Sequence, residues 1–310
     1  MKKVFILLLL GFNSFNYAQE FPVLKGDYLG QTPPGDTPVV FARGIISDNY
    51  QQHGVPSFSP DGNVVFWQTN RRPGNDSEKW ITSSMMMKRT GGKWTVPEVS
   101  PYSSIPFFSP DGKRIYFFDE KEKDISFVEK QGNSWSEPKF LDLITRFPEL
   151  KFAYMLSIAR NGTIYFLGYA AGLWNNFGIY RAELINGEYA KPEKLPPSIN
   201  TPAGMRNWAP FIAPDESYLI FCSTRGLPDY DEGDLFISFR QPDGSWTDPV
   251  NMGEPINTHQ MERFSALSPD GKYLFFTRDT PGYDEDVYWV SAAIIDKLKA
   301  KAIQEKRLKQ

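Results

Sequence analysis

One pattern recurs five times along this chain and constrains its fold more than any other property. It reads Ser57-Phe-Ser-Pro-Asp-Gly-Asn-Val-Val-Phe-Trp67, then Phe107-Phe-Ser-Pro-Asp-Gly-Lys-Arg-Ile-Tyr-Phe117, then Leu156-Ser-Ile-Ala-Arg-Asn-Gly-Thr-Ile-Tyr-Phe166. Two more copies follow, Phe211-Ile-Ala-Pro-Asp-Glu-Ser-Tyr-Leu-Ile-Phe221 and Ala266-Leu-Ser-Pro-Asp-Gly-Lys-Tyr-Leu-Phe-Phe276. The turn residues Asp61, Asp111, Asn161, Asp215 and Asp270 therefore return every 50 to 55 positions. In each copy a short apolar strand runs into a turn where Pro presets φ and Gly accepts φ > 0, and an aromatic strand runs back. The third copy is the most degenerate, and the fourth has Glu216 in place of the glycine.

The remainder of each period supplies two more strands. A third begins in Asp234-Leu-Phe-Ile-Ser-Phe239 and Asp286-Val-Tyr-Trp-Val290, and a second turn carries a Gly with an aromatic, as in Gly92/Trp94, Gly132/Trp135, Gly187/Tyr189 and Gly244/Trp246. A Pro-bearing segment such as Asp248-Pro-Val-Asn-Met252 ends the unit, and Pro is tolerated on an edge strand. Four antiparallel strands per period of about 50 residues is the unit of a β-propeller. The fifth unit lacks its edge strand, while Thr37-Pro-Val-Val-Phe-Ala-Arg-Gly-Ile-Ile46 reads as one with no partner nearby. The sequence thus predicts an all-β propeller of five four-stranded blades closed by an N-terminal strand. Six blades would need a further unit that the chain does not show.

Composition agrees. Aromatic residues make up 15% of the chain, with 24 Gly and 25 Pro, which suits short strands and tight turns. The net charge of −3 and pI near 5.6 argue against a nucleic-acid partner. Lys2 and Lys3 precede an apolar run from Val4 to Leu10, and Ala18 is a plausible cleavage point, so residues 1–18 read as a signal peptide. That run is far shorter than the ~20 residues of a membrane helix, and no later segment reaches that length. The expected location is the periplasm or outside the cell, with no membrane span. Residues 19–36 read as an extended segment, 37–296 as the propeller, and 297–310 as a basic, helix-prone tail. Cys222, the only cysteine, sits in an apolar strand and reads as a buried hydrophobe.

The Ser-Pro-Asp-Gly-Lys-x-Ile-Tyr-Phe units resemble the TolB-type, WD-repeat-like propeller family of bacterial envelope proteins. Trp246-Thr-Asp-Pro-Val-Asn-Met-Gly-Glu-Pro-Ile-Asn-Thr258 and Tyr283-Asp-Glu-Asp-Val-Tyr288 resemble the linking parts of that repeat. The likeness covers about residues 37 to 296. It implies a propeller fold and a scaffold or peptidoglycan-associated role, with partners that differ among members. Many members have six blades, and this chain departs from them with five.

Chain direction alternates along a blade, so the Pro-Asp-Gly and Gly-aromatic turns share one face. The longer loops after each second strand and those leading into each blade share the other, where sites usually sit. That face offers His53, Arg206, Trp208, Tyr230, His259, Glu262, Arg263 and Tyr283 as candidate ligand-binding residues, able to stack on and hydrogen-bond a glycan or peptide. The two histidines also invite a metal or acid–base reading. Asp229-Tyr-Asp-Glu-Gly-Asp234 and Asp284-Glu-Asp286 offer oxygen ligands to Ca²⁺, but without the spacing of an EF-hand loop, and no other cofactor is expected. No nucleophile elbow, zinc-protease, phosphate-loop or Cys-x-x-Cys motif is present. The expectation is an exported, non-catalytic binding or scaffold protein for a glycan, peptide or envelope protein. The alternative is a carbohydrate-active hydrolase or lyase using carboxyls such as Asp76, Asp231, Glu262 or Asp284 in the central pit.

Overall fold

A computed structural model describes residues 21–48, 51–52, 54–71, 81–104, 106–119, 124–170, 177–201, 206–227, 233–280 and 285–308. Among the described residues five antiparallel blade sheets stand in a ring around a central axis, one for each copy of the repeat, and Leu184–Ile185 pairs with Glu188–Tyr189 in a small separate hairpin. Blade four shows the pattern plainly. Asn207–Ile212 is innermost, Tyr218–Ser223 and Asp234–Phe239 follow, and Val250–Asn251 is the outer edge. Blade three repeats it with Leu150–Ile158, Ile164–Ala170, Gly178–Ala182 and Glu193–Lys194. In blade one the inner strand is split into Gln51–Gln52 and Ser57–Phe58, both paired with Val64–Arg71, and in blade two its regular part shrinks to Phe107–Phe108.

The turns explain why the repeat is so regular. The Ser59 hydroxyl donates to Asp61 Oδ1 at 2.5 Å and accepts from the Val64 N–H at 2.9 Å, while Asp61 accepts from the Asn63 N–H at 3.1 Å. Ser109 with Asp111, and Ser268 with Asp270, make the same bonds. Burial pushes the Asp270 carboxyl up, but bonds from Ser268, Tyr28 and Lys272 outweigh it and hold the group at about 2. Gly112 supplies the left-handed φ of +67°, and a Cβ there would lie 3.2 Å from the Pro60 ring of the preceding blade. Neighbouring turns therefore touch around the axis.

Closure runs through the N-terminal strand, as the repeat count requires. Val39–Val40 pairs with Glu285–Ser291 in the register Val39↔Trp289 and Val40↔Tyr288. The Phe41 N–H then donates to the Val287 carbonyl at 2.7 Å, and Ser47 bonds both polar groups of Val287. Phe41 is fully buried, edge-on to Phe275 and Trp289 with ring centroids 5.0 Å apart in each case. The preceding segment does more than extend. Tyr28–Gly30 forms a 3₁₀ turn, Leu29 is buried, and the Trp94 indole donates to the Gly26 carbonyl at 2.8 Å. It wedges blade five against blade one.

The tail is a helix from Ala293 to Leu308. It starts before residue 297 because Ile295 and Leu298, three apart on one face, are buried in the cluster that contains Phe239, Val250 and Phe276. Lys297 bonds Asp36 at 2.7 Å and ties the helix to the N-terminal segment. Among the described residues no helix is long and apolar enough to cross a membrane.

Candidate functional site

The five inner strands enclose an axial cavity of about 580 Å³, a volume typical of small-ligand sites. It reaches the Pro-Asp-Gly face, where Pro60, Pro110, Arg160, Pro214 and Pro269 ring it from the same position of each repeat. Its wall is mainly aromatic and aliphatic, with Phe107, Phe108, Phe118, Tyr154, Phe211 and Phe264 among its residues. Hydroxyl groups interrupt that wall at fixed places. Ser57 accepts from the Phe108 N–H at 3.2 Å and Ser157 from the Ile212 N–H at 3.0 Å, each bond passing from one blade to the next. Ser265 also lines the cavity, and its buried hydroxyl has no hydrogen-bond partner among the described residues.

The wall is shaped by a shared irregularity. In blades three, four and five the inner strand carries an extra residue relative to its neighbour at Tyr154–Ser157, Trp208–Phe211 and Arg263–Ser265, and the register shifts there; blade three has a second shift between Leu150 and Phe152. Met155, Ala209 and Phe264 take left-handed φ values of 52°, 50° and 48° at these bulges, and all three line the cavity. A residue other than glycine costs about 1–2 kcal/mol in this conformation, so three strained positions surround one space.

Two carboxylates line the cavity, Asp215 and Asp270, and both accept bonds within their own turns. Burial raises the Asp215 carboxyl, but the Ser217 hydroxyl and N–H, and then the Arg160 charge, bring it below the ordinary range. In both turns these bonds favour the ionised carboxylate, the form that accepts hydrogen bonds.

The residues expected on the opposite face have mixed fates. His53, Tyr230 and Tyr283 lie outside the described residues, as do Asp76, Asp231, Asp284 and most of the acidic runs considered for Ca²⁺. Arg206 and His259 are exposed. Trp208 is half-buried and packs against Gly233, where a Cβ would lie 2.8 Å from both the Trp208 ring and the Cys222 sulfur. Cys222 is fully buried, as its neighbours suggested. Among the described residues no group of three or more His, Cys, Asp or Glu could hold a metal ion.

Glu262 and Arg263 belong to an ionic cluster inside blade five. Glu262 is fully buried, bonds Arg278 Nε at 2.7 Å, and accepts from the Thr258 hydroxyl at 2.7 Å. Arg263 forks onto Glu285, at 3.0 and 3.1 Å, and reaches Asp279 at 3.1 Å. Burial pushes the Glu285 carboxyl up to about 7 even with Arg263 beside it. Blade four has Asn207 and Ser223 in the matching places, joined by a neutral bond of 2.9 Å. Arg278 also donates to the carbonyls of Pro255 and Ile256, and Arg225 does the same to Ser198 and Ile199. These charges fasten the inter-blade links; they do not line the cavity.

No protein-family model matches this chain, and no curated protein matches it. Solved structures do. TolB from Acinetobacter baumannii is 16% identical with a TM-score of 0.46, over 87% of this chain and 52% of that one. This chain thus spans about half of that protein's length. Trypanosoma rangeli sialidase in complex with the inhibitor DANA is 12% identical with a TM-score of 0.41, over 89% of this chain and 61% of that one. The β-propeller domain of the Trilobed protease from Pyrococcus furiosus is 13% identical with a TM-score of 0.37, over 77% and 68%. The likeness is one of fold alone. Function has to be read from the site.

Proposed function

We propose that this chain is an exported, non-catalytic binding propeller of the TolB type. It receives an apolar or aromatic group of a peptide or envelope protein in its axial cavity. The observation that carries this reading is the wall itself: aromatic rings from several blades, spaced by hydroxyl groups, with both lining carboxylates held in their own turns. Such a surface accepts a hydrophobic side chain and hydrogen-bonds the backbone beside it. Export rests on the basic and apolar pattern of residues 1–18, and the TolB-type assignment on the repeat motifs.

The test is selection of binders from a random peptide library by the mature protein, followed by rebinding to Ala266→Trp, which fills the cavity from its wall. Enrichment of aromatic peptides that lose affinity for the folded variant supports the reading. Peptides that bind the variant as tightly place the site elsewhere, and hydrolysis of a polysaccharide by the wild-type protein would replace binding with catalysis.

A further inference from the structure

Arg160 breaks the ring of prolines around the axial cavity. Pro60, Pro110, Pro214 and Pro269 occupy its position in the other four copies, and Arg160 is the one cation that lines the cavity among the described residues. The replacement does not loosen the turn. The Arg160 N–H, which a proline would lack, donates to the Pro214 carbonyl of the next blade at 2.7 Å. The main chain is thus anchored at the cavity mouth while the side chain stays exposed.

A second cavity, of about 450 Å³, opens between blades two and three and shares Ser109, Pro110, Ile158 and Arg160 with the first. Its wall carries Lys113, Arg114, Lys130 and Arg160 against two carboxylates, Asp111 and Glu129. Both carboxylates already have strong partners. Glu129 bonds Arg114 at 2.8 Å and Lys139 at 2.5 Å, and Asp111 accepts from the Ser109 hydroxyl and the Lys113 N–H. Lys113 also lies 3.9 Å from Asp111, and Asp215 sits within the field of Arg160, so Lys130 and Arg160 carry the positive charge that remains on the cleft, in a chain whose net charge is −3.

We infer that the ligand is anionic: its apolar or aromatic body occupies the axial cavity and its carboxylate or phosphate lies on Arg160 and the basic cleft. This rests on the binding reading above and adds the charge of the ligand to it. A guanidinium at the edge of an apolar pocket suits such a head group, because both oxygens of a carboxylate or phosphate can be met in one plane.

The test uses two fluorescent probes of similar body, anionic anilinonaphthalene sulfonate and neutral N-phenylnaphthylamine, titrated against the mature protein. Arg160→Gln should weaken the anionic probe by about fivefold, the scale of one partly screened charge, and leave the neutral probe within about twofold. Adding Lys113→Gln and Lys130→Gln should weaken the anionic probe further, and raised salt should erase the difference between wild type and variants. Displacement of the anionic probe by phenylpropionate or by phenyl phosphate, in preference to phenylpropanol, supports the inference and tells a carboxylate from a phosphate. Equal displacement by the alcohol, or an unchanged affinity of Arg160→Gln for the anionic probe, overturns it while the cavity reading stands. If neither probe binds the wild-type protein, the cavity reading falls with it.

Discussion

The Asn161 side-chain amide donates to Glu216 at 2.8 Å, joining two residues that depart from the turn pattern. Asn161 stands where the other copies have Asp, and Glu216 where the others have Gly. Glu216 holds a left-handed φ of 58° and in return also accepts from the Tyr165 hydroxyl at 2.6 Å and pairs with Arg240 at 3.1 Å. Its carboxylate bridges blades three and four, a seam that the standard turn leaves without such a bond.

Restoring the glycine should therefore destabilise the protein. Glu216→Gly relieves about 1 kcal/mol of backbone strain but removes charge-assisted bonds of about 1.5–3 kcal/mol each. A net loss of about 1–3 kcal/mol is expected in urea unfolding. A double-mutant cycle with Tyr165→Phe should show coupling above about 0.5 kcal/mol. A Glu216→Gly protein as stable as the wild type would show that the bridge contributes no more than the strain it imposes.

Strain at the cavity wall predicts the opposite sign. Ala209 is buried with a φ of 50°, so Ala209→Gly should stabilise by about 0.5–1 kcal/mol once the added freedom of the unfolded chain is subtracted. Calorimetry checks this. An unchanged or lower Tm would mean that packing of the Ala209 methyl group outweighs the backbone term.

The ionic cluster of blade five makes stability depend on pH. Glu285 is raised from an ordinary 4.5 to about 7, so the folded state holds its proton more tightly than the unfolded chain does. Stability should fall as pH climbs from about 4.5 to about 7, by on the order of 1–3 kcal/mol, and then level off. Glu262 and Asp279, raised mainly by burial, slope the same way, whereas the turn aspartates act in the opposite sense at lower pH. Urea midpoints measured across this range should slope downward in the wild type and less so in Glu285→Gln. Equal slopes in the two proteins would remove Glu285 as the source.

Ring closure offers the largest single effect. Phe41→Ala empties a fully buried site between Phe275 and Trp289, and about 3–5 kcal/mol should be lost. Thermal melts report the loss, and size-exclusion chromatography reports any opened ring that pairs with another chain. A loss under about 1 kcal/mol would mean that blade five closes without this contact.

The fold was legible because its grammar is local. Ser59, Asp61 and Gly62 lie within a few residues of one another, and the same bonds recur wherever the motif does. Closure was legible by elimination, since Val39–Val40 was an edge strand without a blade. The site was harder to read. Glu262 and Arg263 looked like rim charges because nothing near them in sequence reveals Arg278 and Glu285 as partners, 16 and 22 positions away. Cavity position depends on how five blades converge, which no single repeat encodes. One signal was nonetheless present: the third copy reads Arg-Asn-Gly where the others begin with Pro, and that departure marks the cavity mouth.

The seam that completes the ring also joins one of the first strands made to one of the last. Ser47 and Val287, bonded in the finished protein, lie 240 positions apart. At a synthesis rate of ~5–20 residues per second, the first strand waits on the order of ten to fifty seconds for its partner to exist. Throughout that interval Val39, Val40 and Phe41 form an apolar edge that any matching strand can capture. Each chain is therefore in a race between its own beginning and a neighbour's, and whatever shields that beginning until the fifth blade is made decides whether the product is a ring or a tangle.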